Sequence, residues 1–285
     1  MCRFALYLGP EIKLSSLVTE PANSIINQSI HSQEQEEPLN GDGFGLAWYV
    51  PKITDNPALF KDVTPAWNNL NLLNLARVTT SSCILAHVRA ATPGLPVIRL
   101  NCHPFSWNKL AFMHNGRLGG FQRYRRTLLG LLSDEAFQMI SGSTDSEHLF
   151  ALFTDHYRKK EGQHQRASAM AEALDDTIAQ VEQLRMDAGV NEPSLLNLVV
   201  SDGRRAVASR YISREPEKAN SLYYCTGTQY VCSQETCRMV TESEENRAII
   251  IASERLGDEP GWFQVPFNSI VLIDADRSLE IRQIS

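Results

Sequence analysis

A cysteine follows the initiating methionine, in the opening Met1-Cys2-Arg3-Phe4. Once Met1 is removed, which a small neighbouring side chain permits, Cys2 carries both a thiol and a free α-amine. Their ordinary pKa values, about 8.5 and roughly 8, let the amine act as general base for its own thiol near neutral pH. Taken alone, a cysteine at this position reads equally as a buried strand residue. Three other groups of residues bear on the choice. His87-Val88-Arg89-Ala90-Ala91-Thr92 overlaps and follows the apolar run Cys83–Val88, so Arg89 can receive a carboxylate bidentately or form a structural ion pair. Phe112-Met113-His114-Asn115-Gly116 ends a second run, Leu110–Met113, in an Asn-Gly pair. That pair predicts a turn, either a plain hairpin or a point where the Asn115 amide and a backbone N–H converge on one oxyanion. Asp145 falls in the first turn of a helix opened by Thr144-Asp145-Ser146-Glu147, a capping box where the helix dipole favours a carboxylate anyway.

These residues need rigid elements behind them. Phe4–Leu8 predicts a buried strand stopped by Gly9-Pro10-Glu11, and Leu46–Val50 another. The polar stretch Asn27–Asn40 predicts an exposed loop, and Gly41-Asp42-Gly43-Phe44-Gly45 a glycine-rich turn near a pocket mouth. That turn lacks the Lys-Ser/Thr and the strand–helix context of a phosphate loop. Thr64-Pro65 opens a helix over about Ala66–Val78, with proline at a tolerated first-turn position. Phe121–Leu132 predicts a helix, and Gln165–Ala188 a longer one, with Met170, Leu174, Ile178, Val181 and Leu184 at helical spacing and Gly189 closing it. Strand-like runs follow at Ser194–Ser201, Ala206–Tyr211, Ser221–Cys225, Ala248–Ser253, Ser269–Ile273 and Leu279–Ile284. Strands, then helices, then strands predict an α+β layered domain, not the regular βαβ alternation of a dinucleotide fold.

Composition narrows the function classes. The 285 residues carry 27 Lys and Arg against 33 Asp and Glu, a net charge of −6. No basic field therefore invites nucleic acid or an anionic membrane. A hydrophobic fraction of 43% predicts a proper core, while no apolar run approaches a membrane span or a signal-peptide core. The expectation is a soluble, cytoplasmic protein. Its six cysteines, at 2, 83, 102, 225, 232 and 237, show neither a disulfide framework's regularity nor a CxxC. They are expected to be mostly small buried hydrophobes, with no metal site.

Taken together and in order, Cys2, HVRAAT at 87–92, NCHPF at 101–105, HNG at 114–116 and TDSE at 144–147 resemble the class II glutamine amidotransferases. These are N-terminal-nucleophile hydrolases with a four-layer αββα fold. The resemblance implies one such domain over 2–285, Met1 removed, and no cofactor. It implies Cys2 as nucleophile and base, and Asn115 with the Gly116 N–H as oxyanion hole. Arg89 would hold the substrate α-carboxylate and Asp145 its α-amine, with His87, Thr92 and His103 supporting the pocket. Arg89 and Asp145 complement a zwitterionic amino-acid head, so the site would read a γ-glutamyl group.

Within the family, MCRF, SIINQS at 24–29, NGDGFG at 40–45, TPAWNN at 64–69, GSTDSE at 142–147 and EPSLLN at 192–197 resemble a fungal branch of stand-alone, glutathione-degrading amidotransferase-like subunits. Those subunits work with a peptidase-like partner. Bacterial enzymes that trim a γ-glutamyl group during ergothioneine synthesis are more distant relatives. SERLGDEPGW at 253–262 resembles a family stretch reading Ser-Glu-Pro-Leu, with Arg255 in the proline's place. No synthase or sugar-isomerase domain follows residue 285, so a stand-alone hydrolase or a subunit of a complex is expected. The expectation is cleavage of the γ-glutamyl amide of glutathione or a related compound. The alternatives are a glutaminase supplying ammonia to a synthase or other partner enzyme, γ-glutamyl trimming in an ergothioneine-type biosynthesis, and a non-enzymatic binding subunit of a peptidase complex that keeps the fold.

Overall fold

Alternation of period two builds the sheets. In the first strand Phe4, Leu6 and Leu8 face one side and Ala5 and Tyr7 the other, and all five are buried. Such a strand needs apolar cover on both faces, and the chain supplies it as layers. The computed structural model describes residues 2–34, 39–91, 94–160, 162, 166–215, 218–233, 236–241 and 247–284.

Strands are numbered along the chain. One antiparallel sheet runs, in spatial order, β13 (Trp262–Gln264), β9 (Tyr223–Gly227), β12 (Ala248–Ala252), β1 (Arg3–Lys13), β4 (Thr80–Val88), β2 (Phe44–Val50) and β3 (Thr54–Asp62). The other runs β15 (Leu279–Gln283), β14 (Ser269–Ile273), β8 (Ala206–Arg210), β7 (Leu195–Ser201), β6 (Leu110–Arg117) and β5 (Phe105–Trp107). A separate hairpin joins β10 (Gln229–Ser233) to β11 (Thr236–Val240). Helices α1 (Ser15–Val18), α2 (Ile25–Ile30) and α3 (Leu70–Val78) cover the first sheet. Helices α4 (Arg125–Leu131), α6 (Asp145–Arg158) and α7 (Ala167–Asp187) cover the second, with the short α5 (Asp134–Gln138) against α6.

Three apolar interfaces separate these four layers. Ala5, Tyr7, Ile84 and Ile250 meet Leu17, Ile25 and Leu72 on the outer face of the first sheet. Phe4, Leu6, Leu85 and Ile251 meet Met113, Val199, Ala208 and Val271 between the sheets. Phe112, Leu198, Val200 and Ile270 meet Phe150, Leu174 and Ile178 on the far side. The expected αββα arrangement is the one observed.

Several local expectations are corrected. His114-Asn115-Gly116 is not a turn, because β6 continues to Arg117 and pairs Asn115 with Asn197 and Gly116 with Leu196. Tertiary pairing overrides the Asn-Gly turn preference, and glycine serves here for close approach. A Cβ on Gly116 would overlap the Leu195 carbonyl. Gly9-Pro10 does not stop β1, which passes it through an irregularity between Leu8 and Ile12. Part of the supposed exposed loop is α2, capped by Ser24, with Gln28 and Ser29 buried. The helix at 66–78 is broken into a 3₁₀ turn (Ala66–Asn68) and α3, which Asn69 caps. Cys232 and Cys237 are not isolated hydrophobes. They face each other across the β10–β11 ladder, Cα–Cα 4.0 Å apart, and form a disulfide.

Candidate active site

The register of β1 against β4 starts at Arg3↔Val88, so Cys2, one residue before the strand, lies beside Arg89, one residue beyond its partner. Continuing the alternation of β1 back one step turns the Cys2 side chain toward the layer between the sheets. The thiol is free and half-buried, and its Sγ lies 3.6 Å from the Ala90 carbonyl oxygen. Burial pushes this thiol above its ordinary value, and the Ala90 contact and the Arg89 charge offset that only in part.

Arg89 is held by backbone. Its N–H donates to Gly43 O and its carbonyl accepts from Asp42 N, each at 2.9 Å, while Ala91 N donates to the Asp42 carboxylate at 2.8 Å. The glycine-rich turn thus fixes the Arg89 backbone and is absent from the cavity wall. Arg89 is 3% exposed, yet among the described residues it pairs with no carboxylate. Its side chain makes one long contact, Nη1 to Asp42 O at 3.4 Å. A buried cation without a partner is costly unless a ligand supplies the anion.

Asp145 is the first residue of α6, and the Thr144 hydroxyl caps that helix by accepting from Glu147 N at 3.2 Å. Only half of the capping box forms. The Glu147 carboxylate accepts from Ser141 N and Gly142 N instead, at 2.9 and 2.7 Å, and so ties the preceding loop to the helix. The Asp145 carboxylate accepts from Leu118 N and Ser146 N, both at 2.8 Å, which sets its direction.

Cys2, Arg89, His103, Gly116 and Asp145 all line one cavity of about 240 Å³, with Arg117 also on its wall. A cation and an anion, fixed by separate elements, therefore share one small space with a thiol. His87 stands behind the wall, stacked on His103 with ring centroids 4.3 Å apart and donating through Nε2 to the His114 carbonyl at 3.2 Å. Neither ring nitrogen of His103 has a hydrogen-bond partner among the described residues, although the side chain is buried and faces the cavity. His114 completes the cluster. Leu195 O can only accept, so Nε2 carries the proton at 3.0 Å and Nδ1 accepts from the Ser146 hydroxyl at 2.9 Å. Burial lowers all three imidazoles, His87 to about 3 and His103 well below the ordinary value. They are neutral, weak bases at pH 7.

Asn115 is fully buried, and its side chain stands behind the cavity wall. Its Nδ2 donates to Ser253 Oγ at 3.3 Å, and its Oδ1 has no partner among the described residues. Thr92 lies outside the described residues. Sequence reasoning passed over three residues that the fold brings to this region: Arg3, Ser253 and Glu254. Ser253 Oγ also accepts from Phe4 N at 3.2 Å, so one hydroxyl touches both the start of β1 and the Asn115 amide. The motifs MCRF and SERL contain all three residues, but nothing in either string indicates that they meet. Arg255, in the family's proline position, lies over the Tyr223 ring at 5.9 Å and its carbonyl accepts from Asn23 Nδ2 at 2.8 Å.

Known proteins resemble this chain over nearly its whole length. Residues 22–278 match the family described as glutamine amidotransferases class-II. The chain is 42% identical over 292 residues to the probable glutamine amidotransferase DUG3 of Saccharomyces cerevisiae, covering 96% of this chain and 82% of the yeast protein. It is 26% identical over 273 residues to the gamma-glutamyl-hercynylcysteine sulfoxide hydrolase of Mycobacterium tuberculosis, covering 95% and 92% of the two chains. Among solved structures, a glutamine aminotransferase class-II domain protein from Silicibacter pomeroyi superposes with TM-score 0.67 at 27% identity, covering 100% of both chains. The glutamine phosphoribosylpyrophosphate amidotransferase of B. subtilis shares the fold over 49% of its length, with TM-score 0.60 at 13% identity.

Proposed function

The chain belongs to the class II glutamine amidotransferases, hydrolases of γ-glutamyl amide bonds, and from that premise we propose that it cleaves glutathione or a related γ-glutamyl peptide through a thioester on Cys2. The reading treats residues 2–285 as one cytoplasmic domain that works with a peptidase-like partner. The observation that carries it is Arg89, a buried guanidinium lacking a carboxylate partner among the described residues, on the same small cavity as Cys2 and Asp145. An α-carboxylate answers Arg89 and an α-ammonium answers Asp145, which is the head common to every γ-glutamyl compound.

Cys2 supplies both the nucleophile and the base. With Met1 gone, its α-amine takes the thiol proton as Sγ attacks the γ-carbonyl carbon. The three buried imidazoles are too weakly basic for that task. The carbonyl oxygen becomes an oxyanion beside the Gly116 N–H, and the Asn115 amide, which donates to Ser253 in this structure, joins it by turning toward the cavity. Collapse breaks the C–N bond, and the α-ammonium returns its proton to the departing amine. Water, deprotonated by the same amine, then attacks the thioester, releasing glutamate and restoring the thiol.

Purified protein and its Cys2→Ala variant should be screened against glutathione, glutamine and a γ-glutamyl dipeptide, alone and with co-purified partner. Cys2-dependent glutamate and cysteinylglycine are expected from glutathione. Release from glutamine alone would favour the ammonia-supplying alternative, and no release from any substrate would defeat the proposal.

A further inference from the structure

Cys2 precedes the first rung of β1, so no ladder pairing anchors the residue that bears the nucleophile. Chain ends fray unless something ties them down. The tie in this fold is a side chain. Arg3 is fully buried, and its Nη1 donates to the Cys2 carbonyl oxygen at 2.7 Å. The same guanidinium, through Nε, donates to Glu254 Oε1 at 2.5 Å and lies 2.9 Å from Ser32 Oγ. Glu254 is 1% exposed and sits just past the end of β12. Its carboxylate also accepts from the Ser32 hydroxyl, from Gln33 N at 3.0 Å and from Glu34 N at 3.2 Å. Burial alone would raise this carboxyl, but the Arg3 charge and the Ser32 and Gln33 donors outweigh it and hold it below the usual range.

A fully buried ion pair is a poor device for stability, because apolar residues of similar volume usually do as well. What apolar residues could not do is hold a carbonyl. We propose that Arg3 and Glu254 are positioning residues: Glu254 orients the Arg3 guanidinium through Nε, and the guanidinium's Nη1 clamps the Cys2 backbone so that thiol and amine face the cavity. This rests on Cys2 being the nucleophile, as proposed above. The fork geometry of arginine is essential, since one nitrogen must bind the carboxylate while another binds the carbonyl.

Arg3→Lys tests the clamp. Lysine keeps a positive charge opposite Glu254 but has one nitrogen, which cannot hold both oxygens. The expected result is a kcat on glutathione lower by about 10²-fold with KM nearly unchanged, as for a reacting group displaced by roughly an ångström. Iodoacetamide labelling with peptide mapping supplies a readout that needs no substrate. In Arg3→Lys, Cys2 should alkylate faster than in wild type while the buried Cys83, Cys102 and Cys225 stay protected. Wild-type kcat and wild-type Cys2 labelling in that variant would overturn the proposal. So would a kcat loss that tracks exposure of the three buried thiols in both Arg3→Lys and Glu254→Asp, for the pair would then be structural only. A wild-type protein that hydrolyses no γ-glutamyl compound defeats the proposed function, and the labelling comparison still decides the clamp.

Discussion

A thiol raised by burial is a weak nucleophile until a base relieves it of its proton, and the residues around Cys2 leave that work to its own amine. The mature protein is therefore expected to begin at Cys2, because a retained Met1 converts the amine to an amide. Intact-mass measurement of fully active protein should show the mass without methionine, and Met1 still attached would rule the mechanism out. Asn115 is expected to act on the transition state. Its amide donates to Ser253 and reaches the oxyanion only by turning toward the cavity, so Asn115→Ala should lower kcat by about 10²–10³ with KM little changed. A loss confined to KM would move Asn115 to ground-state binding. Arg89→Ala removes the proposed receiver of the α-carboxylate, and the expected cost is about 2–5 kcal/mol in transition-state binding. Glutathione and glutamine share that head, so kcat/KM should fall by similar factors for both, and a ratio shifted tenfold or more would mean Arg89 touches the leaving side. Cys2, Arg89, Gly116 and Asp145 stand out in the sequence only through the ordered motifs that resemble the family, since each alone reads as well as a structural residue. The structure brings all four to one cavity. Arg3 and Glu254 were not legible. An ion pair across 251 residues leaves no local pattern, and the two unpartnered nitrogens of His103 are visible only in three dimensions.

At the scale of elements, the Arg89 and Asp145 charges are set by the end of β4 and the start of α6. Asp145 depends on α6 starting where it does, which rests on the Thr144 hydroxyl. Thr144→Ala should cost about 1 kcal/mol of stability, within the usual range for a lost cap. Because the first turn then frays, the KM for γ-glutamyl substrates should also rise, and titration of melting temperature and KM together checks both. An unchanged KM would mean that the bonds from Leu118 N and Ser146 N suffice to hold the carboxylate. Strands and the two long helices were readable because burial imposes a period on them. The errors fell where tertiary contact reversed a local preference. Asn115-Gly116 has the composition of a turn, but β7 pairs with it and the missing Cβ lets Leu195 approach. Polar Gln28 and Ser29 look like loop residues, but their side chains bond to the Asn23 and Ile26 carbonyls and so can be buried. The Cys232–Cys237 pair depends on hairpin register, which neither spacing nor composition specifies.

For the whole molecule, the layered order followed from strands flanking a helical middle, while the pairing of strands distant in sequence could not be read. Three neutral imidazoles buried beside the cavity make this architecture sensitive to acid. His87 is pushed down to about 3, and His103 and His114 are also lowered by burial, whereas an unfolded histidine titrates near 6.5. Between those values the unfolded chain binds more protons, so stability is lost as pH falls from about 6.5 toward 3. Glu254 adds to this as pH falls through about 4.5, where the unfolded chain takes up a proton that the folded carboxylate, held lower by Arg3, does not. Calorimetry should show a melting temperature that declines steadily from pH 7 to pH 4.5, and a flat profile would mean that the histidines charge without unfolding the protein. The clamp on Cys2 has another consequence, for the order in which the protein is made. Translation runs from the N-terminus, so Arg3 leaves the ribosome 251 residues before Glu254. β12, the strand that brings Glu254 alongside β1, is likewise made late. A nascent chain thus carries the thiol of Cys2 early but gains the group proposed to aim it only after another 251 residues, and hydrolysis waits until β12 has been made and paired.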